Sequence, residues 1–199
     1  MNSAGKFVLE PQYEDALPFS DFLAPVKKDG KWGFINGEGK FIIEPRYEDA
    51  FLFSDQVAAV KEGGLWGFIN RSGKFLVEPK YENAAVFRQG LAAVQLKGKW
   101  GFIDKSGEMV IPARFEQVYF FQEDRCGTFA DGKWGFIDRK GEFVIKPKYD
   151  EVLAFSEGLA AVNVGGTRDG KDFQGGVWKF VNPEGKEVIS EVFVSHTAP

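Results

Sequence analysis

The sequence predicts an all-β protein, a tandem array of about five three-stranded β-meander repeats with a 34-residue period, stacked as an open, curved, solenoid-like array. Three observations support this prediction. Trp32, Trp66, Trp100 and Trp134 follow one another in steps of 34 residues, and Trp178 follows after 44. The segments around each Trp alternate short apolar runs with glycine-containing turns, as β-hairpins do. No segment has the sustained 3.6-residue apolar period of a helix.

Each repeat contains three candidate strands in a fixed order. In the second repeat they are the apolar run "VAAV", the aromatic and β-branched segment "WGFI", and the run "KFLVEP", which ends at proline. A turn glycine follows each Trp by seven residues, and we expect it to adopt positive φ. These glycines are Gly39, Gly73, Gly107, Gly141 and Gly185. A repeat of this size cannot cover both of its apolar faces, so neighbouring repeats are expected to stack.

We predict one domain over residues 1–199. It contains a partial repeat at 5–18, full repeats at about 19–52, 53–86, 87–120, 121–154 and 155–194, and a tail at 195–199. We number the full repeats 1 to 5 in chain order. Because the same small β unit can build an open stack or a ring, a small closed propeller-like or barrel-like ring is the alternative architecture.

The repeated motif K-W-G-F-I-(D/N) has G-K-x-x-I-x-P-x-Y downstream and F-S-x-G-L-A-A-V upstream. This pattern resembles the bacterial WG-repeat family, also described as KWG repeats, over residues from Lys6 to about Val194. The resemblance implies a β-rich tandem array that serves as an interaction or binding module, with no shared catalytic residue. The chain departs from the pattern at Lys179, which replaces the motif glycine, and at "DRCGTF", which replaces "GLAAV" in repeat 4.

Composition restricts the possible function classes. Hydrophobic residues make up 44% of the chain, which excludes a disordered protein, and the net charge of −4 argues against a generic nucleic-acid or anionic-membrane binder. A single cysteine excludes an intramolecular disulfide. The first residues lack a basic region followed by an apolar run, and no segment is long enough to span a bilayer. We therefore expect a soluble, cytoplasmic protein.

Catalytic and metal-binding constellations are not apparent in the sequence. His196 is the only histidine, and Cys126 has no Cys or His in its own stretch, so we predict that Cys126 is a small buried residue. Acidic pairs such as Glu48 and Asp49 follow the repeated Tyr, but adjacent side chains on an extended segment point to opposite faces. We assign these pairs to turns. We predict a protein that is not an enzyme and binds neither a metal nor a cofactor.

The aromatic residues offer a second function hypothesis. Five Trp and 21 Phe would suit a carbohydrate or cell-envelope ligand-binding module that stacks its ligand on exposed rings. Their recurrence with strand periodicity instead favours positions in the core. We therefore predict a non-catalytic protein–protein interaction scaffold, with the ligand-binding module as the alternative.

Two departures from the repeat are the candidate partner-binding sites. Arg125 stands where repeats 3 and 5 have Leu91 and Leu159, and a charge at a core position is costly unless it is exposed or paired. It therefore marks either a distorted strand or an anchor for a partner. The other departure is a ten-residue expansion before Trp178. Its candidate contact residues are Arg168, Asp169, Lys171, Asp172 and Phe173.

The expansion also contains the pattern G-x-x-x-x-G-K at residues 165–171. A phosphate-binding loop of this type needs Ser or Thr after the lysine and a helix whose N-terminus faces the phosphates. Asp172 follows the lysine here, and the next segment, "VWKFV", is a predicted strand. A nucleotide-binding enzyme therefore has little support, and we interpret the expansion as a lengthened hairpin turn.

Overall fold

The computed structural model describes residues 12–169 and 172–192. Within these ranges the chain forms five antiparallel sheets of four strands each and contains no helix. The prediction of an all-β chain built from five repeated units is confirmed. Among the described residues, no helix has the length and apolar character needed to cross a membrane.

The strands of every sheet follow the chain in order, without crossovers. Sheet 1 contains β1 (Asp15–Ala16), β2 (Ala24–Lys28), β3 (Lys31–Ile35) and β4 (Phe41–Tyr47). Sheet 2 contains β5 (Asp49–Ala50), β6 (Val57–Glu62), β7 (Leu65–Asn70) and β8 (Phe75–Tyr81). Sheet 3 contains β9 (Asn83–Ala84), β10 (Leu91–Leu96), β11 (Lys99–Asp104) and β12 (Met109–Phe115). Sheet 4 contains β13 (Gln117–Val118), β14 (Cys126–Ala130), β15 (Lys133–Ile137) and β16 (Phe143–Tyr149). Sheet 5 contains β17 (Glu151–Val152), β18 (Ala160–Asp169), β19 (Asp172–Val181) and β20 (Glu187–Val192).

Each sheet has four strands, so the prediction of three strands per repeat was wrong. The additional strand is the two-residue segment after the repeated Tyr, such as β5, where Asp49 lies opposite Lys61 and Ala50 lies opposite Val60. A two-residue strand is too short to show either alternation or an apolar run, which explains why the sequence pattern missed it. Each sheet therefore begins in the tail of the preceding repeat.

The motif glycine of "WGF" allows a close approach between the third and fourth strands of sheets 1 to 4. In sheet 2, a Cβ on Gly67 would lie 2.7 Å from the backbone nitrogen of Pro79 and 2.7 Å from the carbonyl oxygen of Val77. The pairing register shifts at this point, because Trp66 lies opposite Tyr81 whereas Phe68 lies opposite Val77. The repeated glycine is therefore required by a bulge in the neighbouring strand.

The described residues form two compact units. The first contains those up to Lys97 together with Ile103–Met109, and the second contains Gly98–Phe102 together with those from Val110 onward. Repeated aromatic positions fill the core of each unit. Phe68 and Phe87 are 0–1% exposed in a cluster of the first unit, and Phe136 and Phe155 are equally buried in a cluster of the second.

Candidate interaction site

The ten-residue expansion before Trp178 lengthens the hairpin formed by β18 and β19. These strands pair from Ala160 opposite Val181 as far as Asp169 opposite Asp172. The interpretation of the expansion as a lengthened hairpin turn is confirmed. A strand follows the G-x-x-x-x-G-K segment, so its backbone amides do not lie at the N-terminus of a helix, as a phosphate-binding loop requires.

The far part of this hairpin is a two-stranded ribbon, which we call the hairpin ribbon and define as residues 164–169 and 172–177. Strand β17 pairs with β18 only at Val162 and Asn163, and β20 pairs with β19 at Trp178 and beyond. Among the described strands, the two strands of the ribbon pair only with each other. Apart from the Gly165 N–H, which donates to the Asp150 carboxylate, the outer edges of the ribbon are open toward the described residues, and such edges are templates for an additional strand.

Asn163 closes the base of the hairpin ribbon. Its side chain is fully buried, its Oδ1 accepts a hydrogen bond from the Gly166 N–H at 3.0 Å, and its Nδ2 donates to the Gly175 carbonyl at 3.2 Å. A Cβ on Gly176 would overlap the Asn163 side-chain oxygen, so this close approach requires glycine. Repeat 2 has Lys61 at the equivalent position, which lacks the paired donor and acceptor of an amide.

A buried carboxylate holds the ribbon against the neighbouring strand. Glu151, on β17, is 4% exposed. Its Oε1 accepts a hydrogen bond from the Tyr119 hydroxyl at 2.9 Å, and its Oε2 forms an ion pair with the Arg168 guanidinium. Burial, followed by the hydrogen bond to Glu151, raises the pKa of Tyr119, so its hydroxyl stays a donor. The equivalent residues Asp49 and Asn83 are exposed, so the burial of this position is particular to sheet 5.

Arg168 and Phe173 contact each other across the ribbon. They lie opposite one another in the register, and the guanidinium carbon is 6.0 Å from the centre of the Phe173 ring. The Phe173 ring in turn packs edge-on against Trp178 at 5.9 Å. The Arg168 side chain nevertheless keeps half of its surface exposed. Both candidate residues therefore stiffen the ribbon while Arg168 still presents surface to solvent.

Asp169 and Asp172 lie opposite each other where the two strands of the ribbon end. Asp169 is exposed at the end of β18. Asp172 begins β19, and Lys171 lies outside the described residues. His196, the single histidine, also lies outside the described residues.

The first carboxylate after the repeated Tyr binds the turn of the following hairpin. Glu48 accepts a hydrogen bond from the Gly63 N–H at 3.0 Å, and Asp150 accepts one from the Gly165 N–H at 2.7 Å. Asp150 also pairs with Lys133, and this contact holds the pKa of the Asp150 carboxyl below its ordinary value of 3.8. The predicted turn role is confirmed for the first residue of these pairs, whereas the second residues, Asp49 and Glu151, lie in strands β5 and β17, so their assignment to turns was wrong. Asp150 adds a further attachment at the base of the ribbon.

Repeat 4 contains the remaining candidate, Arg125, which is half-buried. Its Nη1 donates to the carbonyl of Asp124 at 3.1 Å, whereas its Nε is buried without a hydrogen-bond partner in the described part of the chain. Cys126 is 1% exposed, as predicted, and burial raises the pKa of its thiol. Thr128 is fully buried and its hydroxyl likewise has no partner among the described residues, at a position where repeat 3 has Val94.

The tryptophan rings lie mainly in the core. Trp32, Trp66 and Trp134 are 5–7% exposed, and Trp100 and Trp178 are half-buried. A carbohydrate platform needs several exposed rings along one face, and this distribution does not supply them. Within residues 12–169 and 172–192, no group of three or more His, Cys, Asp or Glu side chains could hold a metal ion.

Tyr119, Glu151 and Asn163 belong to this site but were not predicted from the sequence. Asn163 departs from Lys27 and Lys61 of repeats 1 and 2, so a position-by-position comparison of the repeats could have identified it. Glu151 offered no such signal, because the equivalent positions are also polar and the residue becomes buried only through the longer hairpin.

Comparison with known families finds five consecutive matches to a family described as WG containing repeat, at residues 1–32, 32–66, 66–100, 100–134 and 134–167. No curated protein sequence matches the chain. Among solved structures, Kluyveromyces lactis Hsv2p is similar with a TM-score of 0.56 and 12% identity, over 87% of this chain and 62% of that protein. A eukaryotic initiation factor is similar with a TM-score of 0.57 and 11% identity, over 85% of this chain and 51% of that protein. These similar structures are β-propeller-like. This chain spans less than two thirds of the length of either one. At sequence identities of 11–12%, the similarity concerns the fold alone.

Proposed function

Because the chain belongs to the family of WG-containing repeat proteins, we propose that it is a non-catalytic protein–protein interaction scaffold that binds its partner through the hairpin ribbon. The observation that supports the proposal most directly is the anchoring of this ribbon. Buried Glu151, paired with Arg168, and buried Asn163 hold it in one geometry. A long solvated turn needs no buried carboxylate, whose desolvation is costly, whereas a binding element benefits from being held in advance of binding.

The open edges of the ribbon support a binding mode by strand addition. An extended segment of the partner adds a strand to one edge, so that backbone hydrogen bonds supply affinity and alternate side chains supply specificity. Val164 and Val177 lie opposite each other at the base of the ribbon and are 43% and 44% exposed. Arg168 and Asp169 are exposed nearer the tip. The preferred partner segment therefore places apolar residues near the base and charged residues near the tip.

The carbohydrate alternative has less support, because most of the rings that it needs are buried. Arg125 also has less support as a partner anchor, because it is half-buried and its guanidinium donates to its own turn. Neither feature presents a continuous open surface comparable to the ribbon.

The chain itself supplies the design of a ribbon-less variant. Repeat 2 closes the equivalent hairpin as "KEGGLW", and deletion of residues 167–176 leaves "NVGGVW" in repeat 5, with two glycines at the same positions. The deletion removes Arg168, so Glu151→Gln is introduced with it to avoid leaving a buried carboxylate without its partner. Repeat 4 already has Gln117 at this position.

The test is affinity capture from a lysate of the source cells, read by quantitative mass spectrometry. The wild-type chain is expected to capture a specific protein, and the ribbon-less variant is expected to lose it. The control carrying Glu151→Gln alone is expected to capture less of it than the wild type, because one anchor of the ribbon is lost, but more than the ribbon-less variant. Thermal unfolding verifies that all three chains are folded. Identical captures by all three chains would exclude the ribbon as the binding element.

A further inference from the structure

Near its start, each full repeat makes a tight turn in which two residues separate a pair of bridged residues. In repeat 1, Ser20 and Leu23 exchange backbone hydrogen bonds of 2.9 and 3.1 Å, and the turn residues Asp21 and Phe22 have φ angles of 49° and 69°. Such positive angles favour glycine, asparagine or aspartate. The equivalents of Phe22 in the other repeats are polar or glycine: Gln56, Gly90, Asp124 and Gly158. Phe22 is therefore a bulky side chain at a position where the backbone disfavours one.

The Phe22 side chain is exposed as well. Phe22 is 80% exposed, and its equivalents Gln56 and Asp124 are also exposed, although another repeat precedes each of them. The exposure therefore belongs to this position of the repeat and does not depend on what precedes repeat 1. An aromatic ring that is neither buried nor favoured by its own backbone is typical of a binding residue.

Arg71, in the turn between β7 and β8, connects the Phe22 ring to a depression in the surface. Its guanidinium carbon lies 5.4 Å from the centre of the ring, within the range of a cation–π contact. Arg71 also lines a depression of about 450 Å³, whose lining includes Asp55, Leu76 and Lys105. All of these residues belong to the first compact unit. The exposed ring therefore lies beside a depression of the size that ligand sites have.

The depression combines cations with an exposed apolar side chain. Leu76 is 43% exposed, and the Lys105 side chain is 45% exposed. The carboxylate in the lining, Asp55, accepts a hydrogen bond from the Gly90 N–H at 2.9 Å and lies 4.0 Å from the Lys105 ammonium, so it is already engaged. The cations Arg71 and Lys105 against one carboxylate leave a local positive charge, in a chain whose net charge is −4.

The shape of this depression recurs, but its chemistry does not. A comparable depression of repeat 1 has residues 36–38 in its lining. Gly37 there occupies the position of Arg71 in repeat 2 and of Lys105 in repeat 3, so the two cations are missing from that position. Of these two depressions, the one in repeat 2 therefore suits an anionic ligand.

We propose that Phe22, Arg71, Leu76 and Lys105 form a second binding surface, which we call the Phe22 surface, and that it binds an extended acidic segment of a partner protein. Aromatic or aliphatic side chains of that segment pack against Phe22 and Leu76, and its carboxylates pair with Arg71 and Lys105. A small anion would leave the exposed apolar side chains unused, whereas a peptide segment uses both the charge and the apolar contacts. The inference goes beyond the proposed function, because none of these residues belongs to the hairpin ribbon.

Selection of peptides on the full chain tests the proposal before the partner is known. The probe is a phage-displayed library of random linear peptides, and the enriched sequences are expected to combine aspartate or glutamate with an aromatic or aliphatic residue. An enriched peptide is then synthesised with a fluorescent label, and its dissociation constant is measured by fluorescence anisotropy. It is expected to bind the wild-type chain and the ribbon-less variant equally, which separates the Phe22 surface from the ribbon.

Phe22→Asn tests the aromatic anchor, because asparagine tolerates the positive φ and keeps the turn. It is expected to raise the dissociation constant of the peptide by about tenfold or more. Ile42→Thr, at an exposed apolar position of β4 outside the Phe22 surface, is the matched control and is expected to bind like the wild type. If Phe22→Asn binds every enriched peptide as tightly as the wild type does, the proposal is overturned.

Reversal of both charges, Arg71→Glu with Lys105→Glu, tests the electrostatic part of the proposal. This variant is expected to lose the acidic peptide, and a new selection on it is expected to enrich lysine and arginine instead. Thermal unfolding verifies that the variants are folded. Peptides that depend on Phe22 but bind the charge-reversed variant as tightly as the wild type would show a purely apolar site and would overturn the proposal. A selection that enriches no peptide, or only peptides that require the ribbon, would overturn it as well.

Discussion

Thr128 shows how a single residue can depart from the repeat at a cost to stability. Its side chain is fully buried and its hydroxyl has no partner in the described part of the chain, whereas Val94 fills the same position in repeat 3. A buried hydroxyl without a partner is destabilising because it gives up its hydrogen bonds to water.

We predict that Thr128→Val raises the free energy of unfolding by about 1 kcal/mol, because valine keeps the shape and removes the unpaired hydroxyl. Urea denaturation measures the change. The reverse exchange, Val94→Thr, is the matched control and is expected to be destabilising. A lower stability of Thr128→Val would show that the hydroxyl has a partner that stabilises it.

The motif glycine is the second position where one residue determines local structure. A Cβ on Gly67 would lie 2.7 Å from two backbone atoms of the neighbouring strand, so alanine forces that strand to move. We predict that Gly67→Ala lowers the free energy of unfolding by about 1–3 kcal/mol. Gly37→Ala is the control, because a Cβ there meets no atom within 4 Å. Equal stability of the two variants in urea would contradict the account of the bulge.

Sheet 5 tolerates Lys179 in place of the motif glycine because its bulge is different. In sheet 4, Trp134 and Phe136 lie opposite Tyr149 and Ile145, a separation of 149 − 145 = 4 residues in the partner strand. In sheet 5, the equivalent Trp178 and Phe180 lie opposite Val192 and Ile189, a separation of 192 − 189 = 3 residues. The shorter bulge accompanies the loss of glycine, so the two departures compensate for each other.

At the scale of the element, the hairpin ribbon depends on the pairing of Glu151 with Arg168. Removal of Arg168 leaves a carboxylate that is 4% exposed without its cation. We predict that Arg168→Met lowers the free energy of unfolding by about 1–2 kcal/mol. Breaking a fully buried ion pair typically costs roughly 3–5 kcal/mol. The smaller loss is expected here because half of the arginine side chain is in solvent.

The double variant Glu151→Gln, Arg168→Met tests the cause of that loss. Glutamine is neutral and still accepts the Tyr119 hydrogen bond, so the double variant is expected to recover most of the stability in urea denaturation. A double variant as unstable as Arg168→Met alone would show that the arginine stabilises the ribbon by packing rather than by charge.

The elements differ in how far the sequence predicts them. The aromatic "WGF" strands and the lengthened hairpin were predictable, because strand periodicity and the repeat frame constrain both. The two-residue strands such as β5 were not, because their pairing depends on the neighbouring strand rather than on their own composition. The burial of Glu151 was not predictable either, because it results from a contact between segments that are 17 residues apart.

At the scale of the whole molecule, the sequence repeat predicts the sheets but not whether their series is open or closed. A period of 34 residues with one aromatic pattern specifies the sheet and the way in which consecutive sheets seat on each other. It does not specify whether a series of such sheets is open or closed, because one sheet-to-sheet contact serves both arrangements.

Addition of a partner strand to the hairpin ribbon has a signature in the exchange of backbone amides. Amide hydrogen exchange of the complex with the captured partner measures it, because strand addition protects the outward-facing amides of one edge. We predict slower exchange within 164–169 or within 172–177 on binding, with little change in sheets 1 to 3. Unchanged exchange throughout the ribbon, with protection at another surface, would contradict the claim.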